Sequence, residues 1–255
     1  MRQEPTPLLR FVSSPYSNQL PLAHFIPSIA PHARLETTEQ PSTVLALLDS
    51  GAADAVLLPV AALASRPDLV VIDGLGVCAL QKVRSVLLKC RVPLRDVRTV
   101  EEDPASLSSN TLTRVLFQNL WRTPLHLVKA GALPEPDAKV MIGDHALCAP
   151  TAASGDIDLA AAWHELTGLP FVFAVWVHRL GHPHAEALAD IAHASKRKGV
   201  AELPMLARLM SQRLGLDEAE SLDYLTTCIY FDVGKPEQEA IKRFLRMAAD
   251  CPIAT

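Results

Sequence analysis

The chain of 255 residues is 49% hydrophobic and 20% charged, a balance found in core-forming proteins and not in disordered ones. Twenty-four Lys and Arg against 28 Asp and Glu leave a formal charge of −4, so no basic field exists to hold a phosphate backbone, and nucleic acid is excluded as a partner. Residues 1–10 carry Glu4 and two prolines where an export signal needs an unbroken apolar run, and no later stretch reaches membrane-spanning length, which predicts a cytoplasmic protein with no membrane partner. The five cysteines, Cys78, Cys90, Cys148, Cys228 and Cys251, form no Cys-x-x-Cys pair and predict reduced thiols.

In chain order, residues 9–13 read as a strand that runs into the polar turn Ser13, Ser14, Pro15, Tyr16, Ser17 and Asn18, ahead of apolar residues 20–26. Residues 43–48 form a short helical run ending at Ser50 and Gly51. Residues 55–58 are an apolar strand closed by Pro59. Further strands fall at 69–72, 85–88 and 97–100, before the polar stretch from Asp103 to Asn110. Leu112, Val115, Leu116, Leu120 and Trp121 lie on one helical face, which predicts a helix over 111–121. Residues 140–142 make a brief strand ending at Gly143 and Asp144, and residues 169–177 a long apolar, aromatic one. The final third is helical in pattern at 185–195, 203–214 and 236–249. Strands alternating with helices predict an α/β fold with parallel sheets, which bind ligands outside the carboxyl ends of their strands.

Three hydroxyls (Ser106, Ser108, Ser109) and the Asn110 amide stand at the start of the 111–121 helix. Free backbone N–H groups with neighbouring hydroxyls suit a carboxylate or phosphate, and a single capping serine suits the same pattern. Ser85 enters an apolar strand and needs a partner, which is either a ligand or neighbouring backbone. Asn18 reads as a turn former or as a two-way hydrogen-bonding group aimed into a cleft. Gly143 would let a ligand approach the backbone, and Asp144 reads as a helix cap or an acid/base group. His178, His182 and His184 are separated by Gly181 and Pro183, which argues for a turn and against a metal site. No phosphate-binding loop, dinucleotide fingerprint or nucleophile elbow occurs.

Five ordered segments, VRSVLL (83–88), DPASLSSNTL (103–112), IGDHAL (142–147), WHELTGLPFVFAVWV (163–177) and YLTTCIYFDVG (224–234), together resemble the chorismate dehydratases of the alternative, futalosine route to menaquinone. The resemblance runs over nearly the whole chain. It implies a type II periplasmic-binding-protein-like fold, with two mixed sheets flanked by helices and a ligand cleft between two lobes. The first lobe would take residues 1–88 and 174–255, the second 89–173, with hinges near Leu88 and Ala174. Asn18, Ser85, Ser108, Ser109, Asn110 and Gly143 would line the cleft and grip the carboxylates of a small dicarboxylate, chorismate. Three departures stand out: Ser14 and Pro15 are inserted in the first loop, residues 79–82 replace a glycine-bearing turn, and Leu107 stands where the family commonly has arginine.

The implied reaction is loss of the ring hydroxyl and a neighbouring ring proton, giving 3-enolpyruvyloxybenzoate and water, with no cofactor and no metal. The proton acceptor would be Asp144 or a substrate carboxylate held close. Three rival readings share the fold. They are a solute-binding protein, a cytoplasmic ligand-sensing module, and a naphthoate synthase of the same pathway working through a cleft histidine, for which His145 is the candidate. The oligomeric state is left open, a homodimer included.

Overall fold

The computed structural model describes residues 7–150, 152 and 154–251, so residues 1–6 of the N-terminal stretch and residues 252–255 lie outside the described residues. Ten strands build two five-stranded sheets. The first contains β1 (Leu9–Ser13), β2 (Ala33–Thr37), β3 (Ala55–Pro59), β4 (Leu69–Ala79) and, returning late in the chain, β10 (Phe171–Arg179). The second contains β5 (Val86–Cys90), β6 (Thr99–Glu101), β7 (His126–Val128), β8 (Ala138–Ile142) and β9 (Asp156–Asp158).

The order β2-β1-β3-β10-β4 is parallel through β2, β1 and β3, then antiparallel where β10 lies between β3 and β4. In β7-β6-β8-β5-β9, β6 runs parallel to β7 and β8, whereas β5 is antiparallel to β8 and β9. Both sheets are therefore mixed, as the family resemblance implies and not parallel as strand–helix alternation alone suggests. The cause is that β5 and β10 are the strands on which the chain changes sheet. Each enters its new sheet from the opposite end.

Eight of the nine residues of β10 are buried, as a central strand covered on both faces requires, and this explains its unbroken apolar run. Trp163 in the Leu159–Thr167 helix packs edge-on against Phe171 and Phe244 with ring centroids 5.5 and 6.0 Å away. Its indole N–H donates to the Pro170 carbonyl at 2.9 Å, which fixes the return crossing beside the core.

The chain crosses between sheets at residues 80–85 and 168–170. The boundaries read from the sequence, at Leu88 and Ala174, fall inside β5 and β10. At the first crossing Arg84 adopts a left-handed backbone (φ 63°), costly for a residue with a Cβ. Asp158 offsets this: one carboxylate oxygen accepts the N–H groups of Val83 and Arg84 at 2.9 and 2.7 Å, and the other caps the Leu159–Thr167 helix through Ala160 and Ala161. At the second crossing Gly168 takes the left-handed position that ends that helix (φ 69°).

Several elements differ in extent from the sequence reading. The helix expected over 111–121 starts at Leu107 and runs to Leu116 before a π-helical turn, Phe117–Trp121. Ser108, Ser109 and Asn110 therefore belong to its first turn and not to a preceding loop. β2, β7 and β9 were not anticipated; they are edge strands with few or no fully buried residues, and an edge leaves little hydrophobic periodicity. Among the described residues, no helix is long and apolar enough to cross a membrane.

Candidate functional site

The carboxyl ends of β1, β2, β3, β6 and β8 all point at one cleft between the sheets. Each is followed there by a helical turn or helix: Ser17–Gln19, Pro41–Asp49, Val60–Ser65, Leu107–Leu116 and Gly143–Cys148. Helix starts carry free N–H groups and the positive end of the peptide dipoles, so their convergence favours an anion. The cleft opens to solvent, and the space between its walls, about 610 Å³, includes part of that solvent. Leu57, Pro59, Val77, Val86, Ile142, Phe173 and Ala174 form its apolar floor; Ser14, Tyr16, Asn18, Gln19, Thr38, Glu39, Ser106, Ser108, Ser109 and Gly143 supply its polar rim. No Lys, Arg or His is among these lining residues, so recognition of an anion would fall to neutral donors.

On the second-lobe wall, the polar groups are bonded to one another. The Ser106 hydroxyl caps its helix by accepting the Ser109 N–H at 3.1 Å and donates to the Ser109 hydroxyl at 2.7 Å. Ser109 Oγ–H is thereby left to donate elsewhere. Asn110 N–H reaches the Ser106 carbonyl, and among the described residues no acceptor meets the N–H of Leu107 or Ser108. Ser108 Oγ accepts the Ala61 N–H at 3.1 Å and donates to the Phe173 carbonyl at 3.2 Å, tying this helix to the first lobe.

On the first-lobe wall, Gln19 Oε1 accepts the Ser14 N–H at 2.8 Å and closes the loop. Ser14 Oγ and Asn18 Oδ1 are buried without a hydrogen-bond partner. Buried polar atoms are rarely left so, and two of them on one pocket mark a place where a ligand completes the bonding. Tyr16 is 7% exposed; burial, with Asp103, Glu39 and Asp144 nearby, pushes its phenol up to about 12. It stays a neutral donor near pH 7. Gly143 has φ 60°, and a Cβ there would lie 2.7 Å from the Tyr16 ring, so only glycine lets the two lobes meet at this point.

The structure thus brings Asn18, Ser108, Ser109 and Gly143 to the pocket and leaves Ser85, Asn110 and Asp144 outside its lining. Ser85 is fully buried and accepts the Tyr224 hydroxyl at 2.8 Å. Asn110 is a brace: its side chain accepts the Asp103 N–H and donates to the Asp103 carbonyl, at 3.1 and 2.9 Å. Asp144 pairs with Arg213 at 2.6 Å. His145 is exposed and also lies outside the lining. Leu107, 41% exposed, offers no charge at the helix start. Burial raises Asp103, opposed by the N–H groups of Ala105 and Ile142 that it accepts.

Five polar lining residues, Ser14, Tyr16, Gln19, Thr38 and Glu39, were not singled out as site residues from sequence. Thr38 and Glu39 follow the edge strand β2, whose weak pattern hid the loop. Away from the cleft, His182 lies between His178 and His184 with ring centroids 6.1 and 6.0 Å away and contacts Asp54 at 3.3 Å. Among the described residues no group of His, Cys, Asp and Glu is placed to hold a metal ion.

Residues 9–250 match the menaquinone biosynthesis family, and the chain belongs to that family. It is 33% identical to a chorismate dehydratase of Campylobacter jejuni over 174 residues, 68% of this chain and 66% of that one, slightly under two thirds of the relative's length. A chorismate dehydratase of Thermus thermophilus is 27% identical over 90% of this chain and 91% of its own. In fold, the chain is similar to a Candida albicans protein described as exhibiting the generic periplasmic binding protein structural fold. That pair has a TM-score of 0.64 and 12% identity, covering 96% of this chain and 91% of the other.

Proposed function

We propose that this member of the menaquinone biosynthesis family is a chorismate dehydratase, a carbon–oxygen lyase acting in the cytoplasm on the futalosine route. It eliminates water from chorismate to give 3-enolpyruvyloxybenzoate. Two relatives carry that activity in their names, and the site's chemistry agrees with it. The observation that carries the reading is the unpartnered pair on the first loop, Ser14 Oγ and Asn18 Oδ1, facing the Ser109 hydroxyl across the pocket.

The chorismate dianion offers acceptors at its two carboxylates and its ether oxygen, and a single O–H donor, the ring hydroxyl. Asn18 Oδ1 needs a donor, and that hydroxyl is the one available. Ser14 Oγ–H, Ser109 Oγ–H and the N–H groups of Leu107 and Ser108 need acceptors, and carboxylates provide them. In this arrangement the departing hydroxyl sits on the Asn18 side, where Oδ1 accepts its O–H, and the ring proton, first taken up by the substrate carboxylate, passes to that hydroxyl so that the C–O bond breaks to release water and the carboxylate is regenerated. Donors placed in advance around developing charge lower a barrier without reorganising during reaction.

The ring proton must go to a base while its C–H electrons become the new ring double bond. Asp144 is committed to Arg213 and to the Ser17 N–H. Glu39 is the one carboxylate among the lining residues, and it sits exposed at the rim. The substrate's own carboxylate, held beside the ring, is therefore assigned the proton. Closure of the two lobes, bending at the crossings close to Leu88 and Ala174, would exclude water from the pocket.

The test is incubation of the purified protein with chorismate, without added cofactor or metal, followed by mass analysis. A product lighter by one water, lost in Asn18→Ala and Ser109→Ala and retained in Glu39→Gln, is expected. Chorismate left intact by a folded protein that it nevertheless stabilises against heat would replace the dehydratase with a binding or sensing protein.

A further inference from the structure

The carboxylate of Asp144 belongs to the second lobe, at the start of the Gly143–Cys148 helix, yet its partners all belong to the first. It accepts the Ser17 N–H at 3.0 and 3.3 Å through its two oxygens, and Arg213 donates to it at 2.6 Å. Arg213 lies in the last turn of the Leu203–Leu214 helix. The same guanidinium donates to the Ser17 hydroxyl at 2.6 Å and to the Pro15 carbonyl at 2.8 Å. Three segments far apart in sequence thus meet on one side chain: the first loop, a late helix, and the second-lobe helix start. Ser17 is fully buried there, with the Asp144 side chain 15% and the Arg213 side chain 38% exposed.

We propose that Asp144 and Arg213 form an interlobe clasp that sets the Tyr16–Asn18 loop over the pocket, making both positioning residues and neither a proton carrier. The clasp has two unequal halves. Arg213 with Pro15 and Ser17 lies wholly within the first lobe and persists when the lobes part, holding the loop that carries Ser14 and Asn18. Asp144 joins only on closure, when Tyr16 meets Gly143 and the Ser17 N–H gains its acceptor. An exposed ion pair alone contributes little. Here the pair also holds a buried backbone N–H and a proline carbonyl on either side of Tyr16, so its loss displaces groups that line the site.

The inference rests on the interlobe cleft and is independent of which ligand fills it. The two halves separate in experiment. Asp144→Ala frees the Ser17 amide, so its hydrogen exchange in the unliganded protein should speed up at least tenfold, and small-angle scattering should show a larger radius. With chorismate as substrate, a shifted open–closed equilibrium reduces apparent affinity by the fraction of closed molecules. KM should rise about tenfold with kcat changed less than threefold.

Arg213→Ala lets the loop move in both states, so kcat should fall as well, and Arg213→Lys should restore part of it by reaching one of the two first-lobe oxygens. Exchanging the charges, Asp144→Arg with Arg213→Asp, should not rescue, because the Ser17 N–H then faces a donor and the Pro15 carbonyl an acceptor. If Asp144→Ala unfolds, Asp144→Asn keeps the shape, and the same exchange measurement applies to it. Unchanged Ser17 exchange and an unchanged radius in these variants would overturn the clasp. Rescue by the charge exchange would equally overturn it, reducing the pair to simple attraction. Absence of chorismate turnover in the wild type would refute the dehydratase and leave the exchange and scattering results to decide the clasp.

Discussion

The two walls of the cleft are built on opposite plans. The second-lobe wall, from Asp103 to Asn110, has its polar side chains satisfied within the protein: Ser106 with Ser109, Asn110 with both sides of the Asp103 backbone, and Ser108 with Ala61 and Phe173 of the first lobe. The first-lobe wall, from Ser14 to Asn18, keeps Ser14 Oγ and Asn18 Oδ1 buried and without partners. Satisfied polar groups hold a shape, whereas unsatisfied ones cost stability until a ligand meets them. The difference separates a scaffold that presents N–H groups and hydroxyls from a loop that reads the substrate. Mutations on the two sides should therefore report in different measurements.

The sharpest way to break the comparison is Asn18→Ala. It removes a group with no internal bond to lose at Oδ1, so the melting temperature should stay within a few degrees while kcat/KM for chorismate falls by about 10²–10³. A large loss of stability would mean that Asn18 is part of the scaffold after all. Gly143→Ala tests the contact between the walls. The left-handed backbone and the 2.7 Å approach to the Tyr16 ring predict a loss of about 2–3 kcal/mol by denaturant unfolding, with activity lowered as Tyr16 is displaced.

Asn110→Ala acts on the scaffold side. Losing both bonds to Asp103 should cost about 1–2 kcal/mol of stability, with kcat/KM at a temperature well below melting reduced less than in Asn18→Ala.

The smallest effect is alkaline. The folded chain keeps the Tyr16 proton where the unfolded chain gives it up, so this stability is present in full below a pH of about 10 and is lost as pH rises from there through about 12. Burial shifts Tyr224 and Tyr230 in the same direction. Melting temperatures taken at stepped alkaline pH should decline across that window, and Tyr16→Phe should flatten the decline.

Much of this was legible in the sequence, and the remainder follows a pattern. β10 was read because burial on both faces leaves an unbroken apolar run, and the Leu203–Leu214 helix because its period is strong. A serine cap ahead of the helix was read from capping chemistry, though the helix was placed four residues late, at 111, and the pocket opens at the carboxyl ends of strands, where a site was expected. What escaped depends on contacts between distant residues. Ser85 is buried where its partner, Tyr224, is 139 positions away, and Arg213 reaches Ser17 across 196; no local pattern encodes either. The mixed character of the sheets came from the family resemblance and not from strand–helix alternation, since strand direction is set by which sheet the chain re-enters. Glu39 and Thr38 follow an edge strand whose own signal was faint.

The most direct measurement is a crystal structure of the protein with 3-enolpyruvyloxybenzoate. The account predicts the ligand between the walls, one carboxylate at the N–H groups of Leu107 and Ser108 and the Ser109 hydroxyl, with Ser14 Oγ within hydrogen-bond distance of the ligand. A ligand bound outside the cleft, or inside it with Ser14 Oγ still unpartnered, would contradict it.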